Sequence, residues 1–158
     1  MKRILVAVDT TESATVVVNQ AVELACALGG KIRLFHAVPM PTQVPPPGIF
    51  VAPPALHVQE LVASAETALR GLSSFIPKEL RDGICIEIGQ APERLCDVAR
   101  KYDPNIVVIG AHEYGLVARA LGTNAARIVN RMDRPVFVVR PMPATHVAST
   151  EPPSALVG

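Results

Sequence analysis

Apolar residues along this chain fall into short unbroken runs that alternate with longer stretches in which they recur every third or fourth position. Residues 3 to 8 lead into the run Ile4-Leu5-Val6-Ala7-Val8. Such a segment, rich in β-branched residues, suits a strand buried on both faces of a parallel sheet. Asp9 ends it, and Thr10, Thr11 and Ser13 supply side-chain oxygens able to cap a helix. From Ser13 to Leu28 the positions Val17, Ala21, Leu24 and Leu28 recur at helical steps, predicting a helix that stops at Gly29-Gly30. Ile32 to Val38 reads as the second strand.

Prolines at positions 39, 41, 45, 46, 47, 53 and 54 then exclude regular helix or central strand, so a long Pro-rich loop, residues 39–55, is expected. Loops of that length inside a compact domain tend to be lids or partner-binding segments, and the apolar tip Ile49-Phe50-Val51 favours docking over solvation. A second helix is predicted over 56–75, with Leu61, Ala65, Ala68, Leu69 and Leu72 inward, followed by a strand over 84–88. Gly89-Gln90-Ala91-Pro92 turns into a third helix whose Leu95, Val98 and Ala99 face inward, with Pro92 tolerated in the first turn. A strand over 106–109, a helix over 122–132 and a last strand Val136-Phe137-Val138-Val139 complete the pattern. The expected domain is 1–141, with a disordered Pro-, Ser-, Thr- and Ala-rich tail over 142–158.

Five strands alternating with four helices predict an α/β, doubly wound, mainly parallel sheet of Rossmann-like architecture. Ligands bind such sheets outside the carboxyl ends of the strands, where the strand order reverses. Asp9, His36-Ala37 and Gly110 all lie at such ends.

Composition narrows the partners. The chain has 158 residues, 49% hydrophobic and 18% charged, with a formal net charge of +1 and no Trp. That is ample apolar content for one core, and it gives neither the basic footprint nor the interleaved aromatics expected of a nucleic-acid binder. Lys, Arg, Glu or Pro interrupts every apolar stretch before membrane-spanning length, so a cytoplasmic protein is expected. Cys26, Cys85 and Cys96 form no paired framework and read as buried small hydrophobes.

The chemistry concentrates at Val107-Val108-Ile109-Gly110-Ala111-His112 and Gly122-Thr123-Asn124-Ala125-Ala126. A buried strand ending in glycine beside a helix that opens on Gly-Thr-Asn makes an anion site, because unpaired N–H groups at a helix N-terminus hydrogen-bond phosphate and the helix dipole favours it. Thr123 Oγ could cap the helix or contact phosphate or a phosphate-bound cation. The spacing is not that of a P-loop, and the turn after the first strand, Asp9-Thr10-Thr11-Glu12-Ser13, has no Rossmann glycines. An acidic Asp9 there suits a ribose or adenine contact. His112 has no nucleophile or second acid beside it in sequence, and the histidines at 36, 57, 112 and 146 show no zinc spacing. His36 reads as a packed or turn histidine, and Arg119 and Arg127 are candidates to face phosphate.

Taken together, Arg3 to Asp9 with Ser13, Leu34-Phe35-His36-Ala37-Val38, Gly89, Tyr102-Asp103, Gly110-Ala111-His112, Gly122-Thr123 and Arg134-Pro135-Val136-Phe137-Val138-Val139-Arg140 resemble the universal stress protein family, over residues 2 to about 141. The resemblance implies a fold like that of adenine nucleotide alpha-hydrolases. It also implies a cytoplasmic homodimer joined through the last strand, 136–139, that binds ATP or AMP, alone or with Mg²⁺, with little or no hydrolysis and with a further protein partner. It would set Ala7, Val8 and Asp9 against adenosine, Ala37 alongside adenine, and Ile109, Gly110, His112, Gly122, Thr123 and Asn124 around ribose and phosphates.

This chain departs from the family's common nucleotide pattern, in which Gly110 is followed after two residues by a second glycine. Glu113 stands there, Gly115 is the nearest substitute, and the loop to Gly122 is one residue shorter. A carboxylate close to a triphosphate is unfavourable unless it points away or shares a cation. Two other expectations therefore stand beside nucleotide binding: a dimeric interaction protein that has lost the nucleotide and works through its Pro-rich loop, and an enzyme of the alpha-hydrolase type.

Overall fold

The computed structural model describes residues 1–40, 54–111 and 121–140. The greater part of the Pro-rich loop, the residues His112, Glu113, Gly115 and Arg119, and the tail lie outside the described residues. The elements run in the order β1 (Lys2–Ala7), α1 (Ala14–Leu28), β2 (Gly30–Val38), α2 (Pro54–Ser73), a short 3₁₀ turn (Lys78–Leu80), β3 (Arg81–Ile88), α3 (Ala91–Tyr102), β4 (Ile106–Gly110), α4 (Thr123–Arg131) and β5 (Val136–Val139). The sheet order is β3-β2-β1-β4-β5, and all four pairings are parallel.

Strand alternation divides the core into two layers. On one face Ile4, Val6, Val8, Ile32, Leu34, Val108 and Val139 pack with Val17, Val18, Ala21 and Ala25 of α1 and Leu69 of α2. On the other, Leu5, Phe35, Val107 and Ile109 pack with Leu95, Val98, Ala99 and Tyr102 of α3 and Ala125 and Ile128 of α4. β1 sits in the middle of the sheet, and its Ile4, Leu5 and Val6 are wholly buried. This is why its sequence is apolar at successive positions rather than alternate ones.

Several predicted details are corrected. Ser13 occupies the N-cap of α1 but makes no side-chain capping bond. α1 buries Ala14, Val17, Val18, Ala21 and Ala25, while Leu28, its last residue, is exposed, because the helix ends on the left-handed Gly29 before its apolar stripe returns to the sheet. Cys96 is buried and Cys85 half-buried, with burial raising both thiol pKa values, but Cys26 is exposed on the outer side of α1. β3 begins at Arg81, three residues earlier than predicted, through a register shift between Ile32 and Leu34 and a Gly83 at φ +101°.

The polar start of β3 is held by long-range contacts at the amino ends of the strands. Tyr102 donates its hydroxyl to Asp82 Oδ2 at 2.5 Å, and its ring lies under the Arg33 guanidinium, 4.2 Å from the centroid, with Arg3 at 5.4 Å. Arg33 also pairs with Asp82. One residue on, Asp103 ends α3 in the left-handed conformation and pairs with both Arg3 and Arg134. Burial and the neighbouring Asp82 carboxylate hold the Tyr102 proton well above the ordinary tyrosine range. Because the folded state keeps this proton more tightly than the unfolded chain does, the stabilisation is complete below about pH 10 and is lost as pH rises beyond it. Tyr102→Phe is expected to cost on the order of 1 kcal/mol at neutral pH. The gap between wild type and variant in denaturant midpoint should narrow above pH 10, and a gap independent of pH would contradict the assignment.

Candidate nucleotide site

The strand order reverses between β1 and β4, so the chain leaves these two neighbours in opposite directions and a crevice opens at their carboxyl ends. A cavity of about 500 Å³ occupies that position. Ala7 at the end of β1 with Val8 and Asp9 after it, Phe35, His36 and Ala37 of β2, and Ile109 and Gly110 of β4 with Ala111 after them line it from the sheet. Thr11, Ser13, Ala14 and Val17 at the start of α1 close one side, and Ala91 and Leu95 of α3 with Gly122, Thr123, Asn124, Ala125 and Ile128 of α4 close the other. Ala7, Val8, Asp9, Ala37, Ile109, Gly110, Gly122, Thr123 and Asn124, all predicted from the sequence, border this one cavity; His112 and Arg119 lie outside the described residues.

The floor and the rim differ in chemistry. Phe35, Leu95, Ile109, Ala125 and Ile128 belong to the buried core and give the cavity an apolar bed. Gly110 brings β4 so close to α1 that an added Cβ would stand 3.0 Å from Val17 Cγ2, so the backbone here is bare by necessity. At the rim, α4 opens at Gly122, which has no capping side chain, and the first intrahelical bond runs from the Ala126 N–H to the Gly122 carbonyl at 2.9 Å. The amides of Thr123, Asn124 and Ala125 precede that bond and lack an intrahelical acceptor, as helix geometry dictates. Thr123 is thus the first helical residue and not the cap. Arg127 lies exposed on α4 and does not line the cavity.

Across the crevice the Asp9 carboxylate is held by a short chain of hydroxyls. Thr11 donates both its N–H, at 3.0 Å, and its hydroxyl, at 2.6 Å, to Asp9 Oδ1. Thr11 Oγ1 and Ser13 Oγ are 2.7 Å apart, and since the Thr11 proton is already committed, Ser13 is the donor. These hydroxyls, read from the sequence as helix caps, serve instead to orient a carboxylate. Asp9 is the acidic side chain among the described lining residues, and no Lys or Arg is among them. His36 also borders the cavity, with Nδ1 2.8 Å from the Val8 carbonyl oxygen. A carbonyl only accepts, so Nδ1 carries the proton. This bond reaches back 28 residues, which local sequence patterning could not reveal. Leu95 was legible as an inward-facing helix position, whereas Phe35, Ala91 and Ile128 become cavity residues only once α3 and α4 are known to share a sheet face.

The arrangement offers an apolar bed, a fixed carboxylate and a row of helix-terminal amides within one small-molecule-sized cavity. The model of the universal stress protein family matches residues 1–140. Universal stress protein Sll1388 from Synechocystis is 25% identical over 151 residues, covering 87% of this chain and 97% of that protein. Among solved structures, universal stress protein UspA from Lactobacillus plantarum superposes with a TM-score of 0.72 at 20% identity, over 88% of this chain and 97% of its own. A universal stress protein in complex with cAMP aligns at a TM-score of 0.57 and 17% identity, covering 88% and 96%. The Archaeoglobus fulgidus universal stress protein in complex with dAMP aligns at 0.54 and 20% identity, covering 87% and 97%.

Proposed function

The chain belongs to the universal stress protein family, and from that premise we propose that it is a cytoplasmic stress-response module that binds an adenine nucleotide, ATP or AMP, in the crevice between β1 and β4. The observation that carries this reading is the convergence of Ala7, Val8, Asp9, Ala37, Ile109, Gly110, Gly122, Thr123 and Asn124 on one cavity. A purine lies against Phe35, Leu95 and Ile109 alongside Ala37, because a flat apolar base gains most by covering that bed. Ribose hydroxyls meet the Asp9 carboxylate, which Thr11 has already oriented, and phosphate accepts from the unpaired amides at the start of α4. The related proteins solved with cAMP and dAMP support an adenine mononucleotide as the common ligand class. Thr123, which borders the cavity, would offer its hydroxyl to a Mg²⁺ carried by the nucleotide phosphates, where the ion would neutralise phosphate charge.

Function in this reading is occupancy and not turnover. The Thr11-held Asp9 carboxylate binds ligand and His36 Nδ1 is committed to a backbone carbonyl, so their roles are orientation. Denaturing the purified protein is expected to release adenylate detectable by mass spectrometry, with no steady release of phosphate from added ATP. Sustained turnover would favour the alpha-hydrolase reading instead.

The same reading makes the chain a homodimer through β5. This edge strand is apolar throughout, and Phe137 is 41% exposed on it. An uncovered apolar edge is a pairing surface, and a second copy satisfies its backbone groups. Sedimentation is expected to give twice the chain mass, with Phe137→Glu shifting the equilibrium toward monomer. A monomeric wild type at micromolar concentration would contradict this part of the proposal.

A further inference from the structure

β1 parts from β2 in an unusual way at the crevice. In a parallel ladder, alternate residues turn both backbone groups to the same neighbour. The Val8 N–H donates to the Phe35 carbonyl at 3.0 Å as that pattern requires. Continued regularly, the next bond would run from the Ala37 N–H to the Val8 carbonyl. Among the described residues that bond is not formed, and the Val8 carbonyl accepts from His36 Nδ1 instead. The Gly89 N–H donates to the Val38 carbonyl on the opposite side, which fixes the alternation: Phe35 and Ala37 turn toward β1, Val38 toward β3. The N–H and C=O of Ala37 are therefore directed past the end of β1, where Ala37 borders the cavity.

We propose that His36 is a positioning residue for base recognition: by occupying the Val8 carbonyl, it keeps the Ala37 peptide edge open to a purine. This inference rests on the nucleotide reading above and deepens it. The Val8 carbonyl could be satisfied by the Ala37 N–H alone, so a purely structural requirement would be met by the ordinary ladder with no histidine. What the histidine adds is an uncommitted donor and acceptor side by side on one residue. A 6-aminopurine presents a complementary acceptor and donor at N1 and N6, whereas a 6-oxopurine presents them in the reverse order. The edge thus distinguishes the two, because the wrong order sets like groups against each other and leaves buried polar groups unpaired.

Two substitutions separate this role from a structural one. His36→Leu removes the donor, while His36→Asn puts an amide nitrogen where Nδ1 now stands. Amide hydrogen exchange by NMR on the ligand-free protein is expected to show rapid exchange at Ala37 in wild type and His36→Asn, and slowing by roughly an order of magnitude in His36→Leu as the ladder closes. AMP affinity is expected to fall on the order of tenfold in His36→Leu and to recover in His36→Asn, with ribose 5-phosphate binding unchanged and preference over IMP lost only in His36→Leu. Circular dichroism of each variant checks the fold. Equal AMP binding by wild type and His36→Leu, or an Ala37 amide already protected in wild type, overturns the assignment of His36 alone. A wild type that binds no adenylate overturns the nucleotide reading and this one with it.

Discussion

Gly122→Val should weaken binding of AMP or ATP about a hundredfold, close to 2.7 kcal/mol, while leaving the fold intact. Gly122 borders the cavity immediately before the first helical residue of α4, with φ −55° and ψ 154°. Such extended backbone accepts a β-branched residue without strain, so the substitution acts on the site and not on the helix. Two methyl groups added at this cavity-lining position would compete with phosphate for room at the start of α4, and bonds from amides to a charged phosphate are among the stronger ones a protein makes. Thr123→Ala, which removes only one hydroxyl and keeps every amide, should cost far less, a few-fold at most. Titration calorimetry on both variants checks the order. A Gly122→Val protein that folds and binds as tightly as wild type would remove α4 from the phosphate site.

Phe35→Ala is the substitution expected to cost the most stability, about 3 to 5 kcal/mol. Phe35 is 1% exposed, belongs to the same buried cluster as Leu5 and the inward residues of α3 and α4, and also borders the cavity. Its loss removes a large apolar contact and leaves a void that the central strands, paired on both sides, cannot close by moving. For a chain of this size the melting temperature should drop by about 10 °C or more. Phe137→Ala is the matching control when both forms are compared at a concentration low enough to keep them monomeric: its ring is exposed on the edge strand, and its removal should then change stability by no more than about 0.5 kcal/mol. Denaturant midpoints with unchanged slope check both. Equal midpoints for Phe35→Ala and wild type would contradict the packing of this face.

The contrast between Phe35 and Phe137 also indicates what could be read from the sequence. Strands β1 and β4 were legible because burial on two faces leaves unbroken apolar runs, β2 and β5 because apolar residues predominate in them, and α1, α3 and α4 because one-sided burial leaves a helical period. β3 was legible only from Ile84 onward. Its first residues, Arg81 and Asp82, are polar, and Asp82 is held in the strand by Arg33 and Tyr102, contacts spanning 49 and 20 residues that no local pattern carries.

The site divides in the same manner. Asp9, Gly110 and Gly122-Thr123-Asn124 could be found because each sits where an element ends, and element ends are visible in a sequence. The use made of Thr11, Ser13 and His36 could not, since a hydroxyl near a helix start reads as a cap and a histidine at a strand end reads as packing. Only the hydrogen bonds from Thr11 to Asp9 and from His36 to Val8 show that these side chains hold residues bordering the cavity.

Isothermal titration of wild-type protein, freed of any retained nucleotide, with AMP and separately with ATP and Mg²⁺ tests the central claim most directly. The account predicts saturable heat with one adenylate bound per chain. No heat with either ligand, from protein that also releases no adenylate on denaturation, would contradict it and favour a family member that works through protein contacts alone.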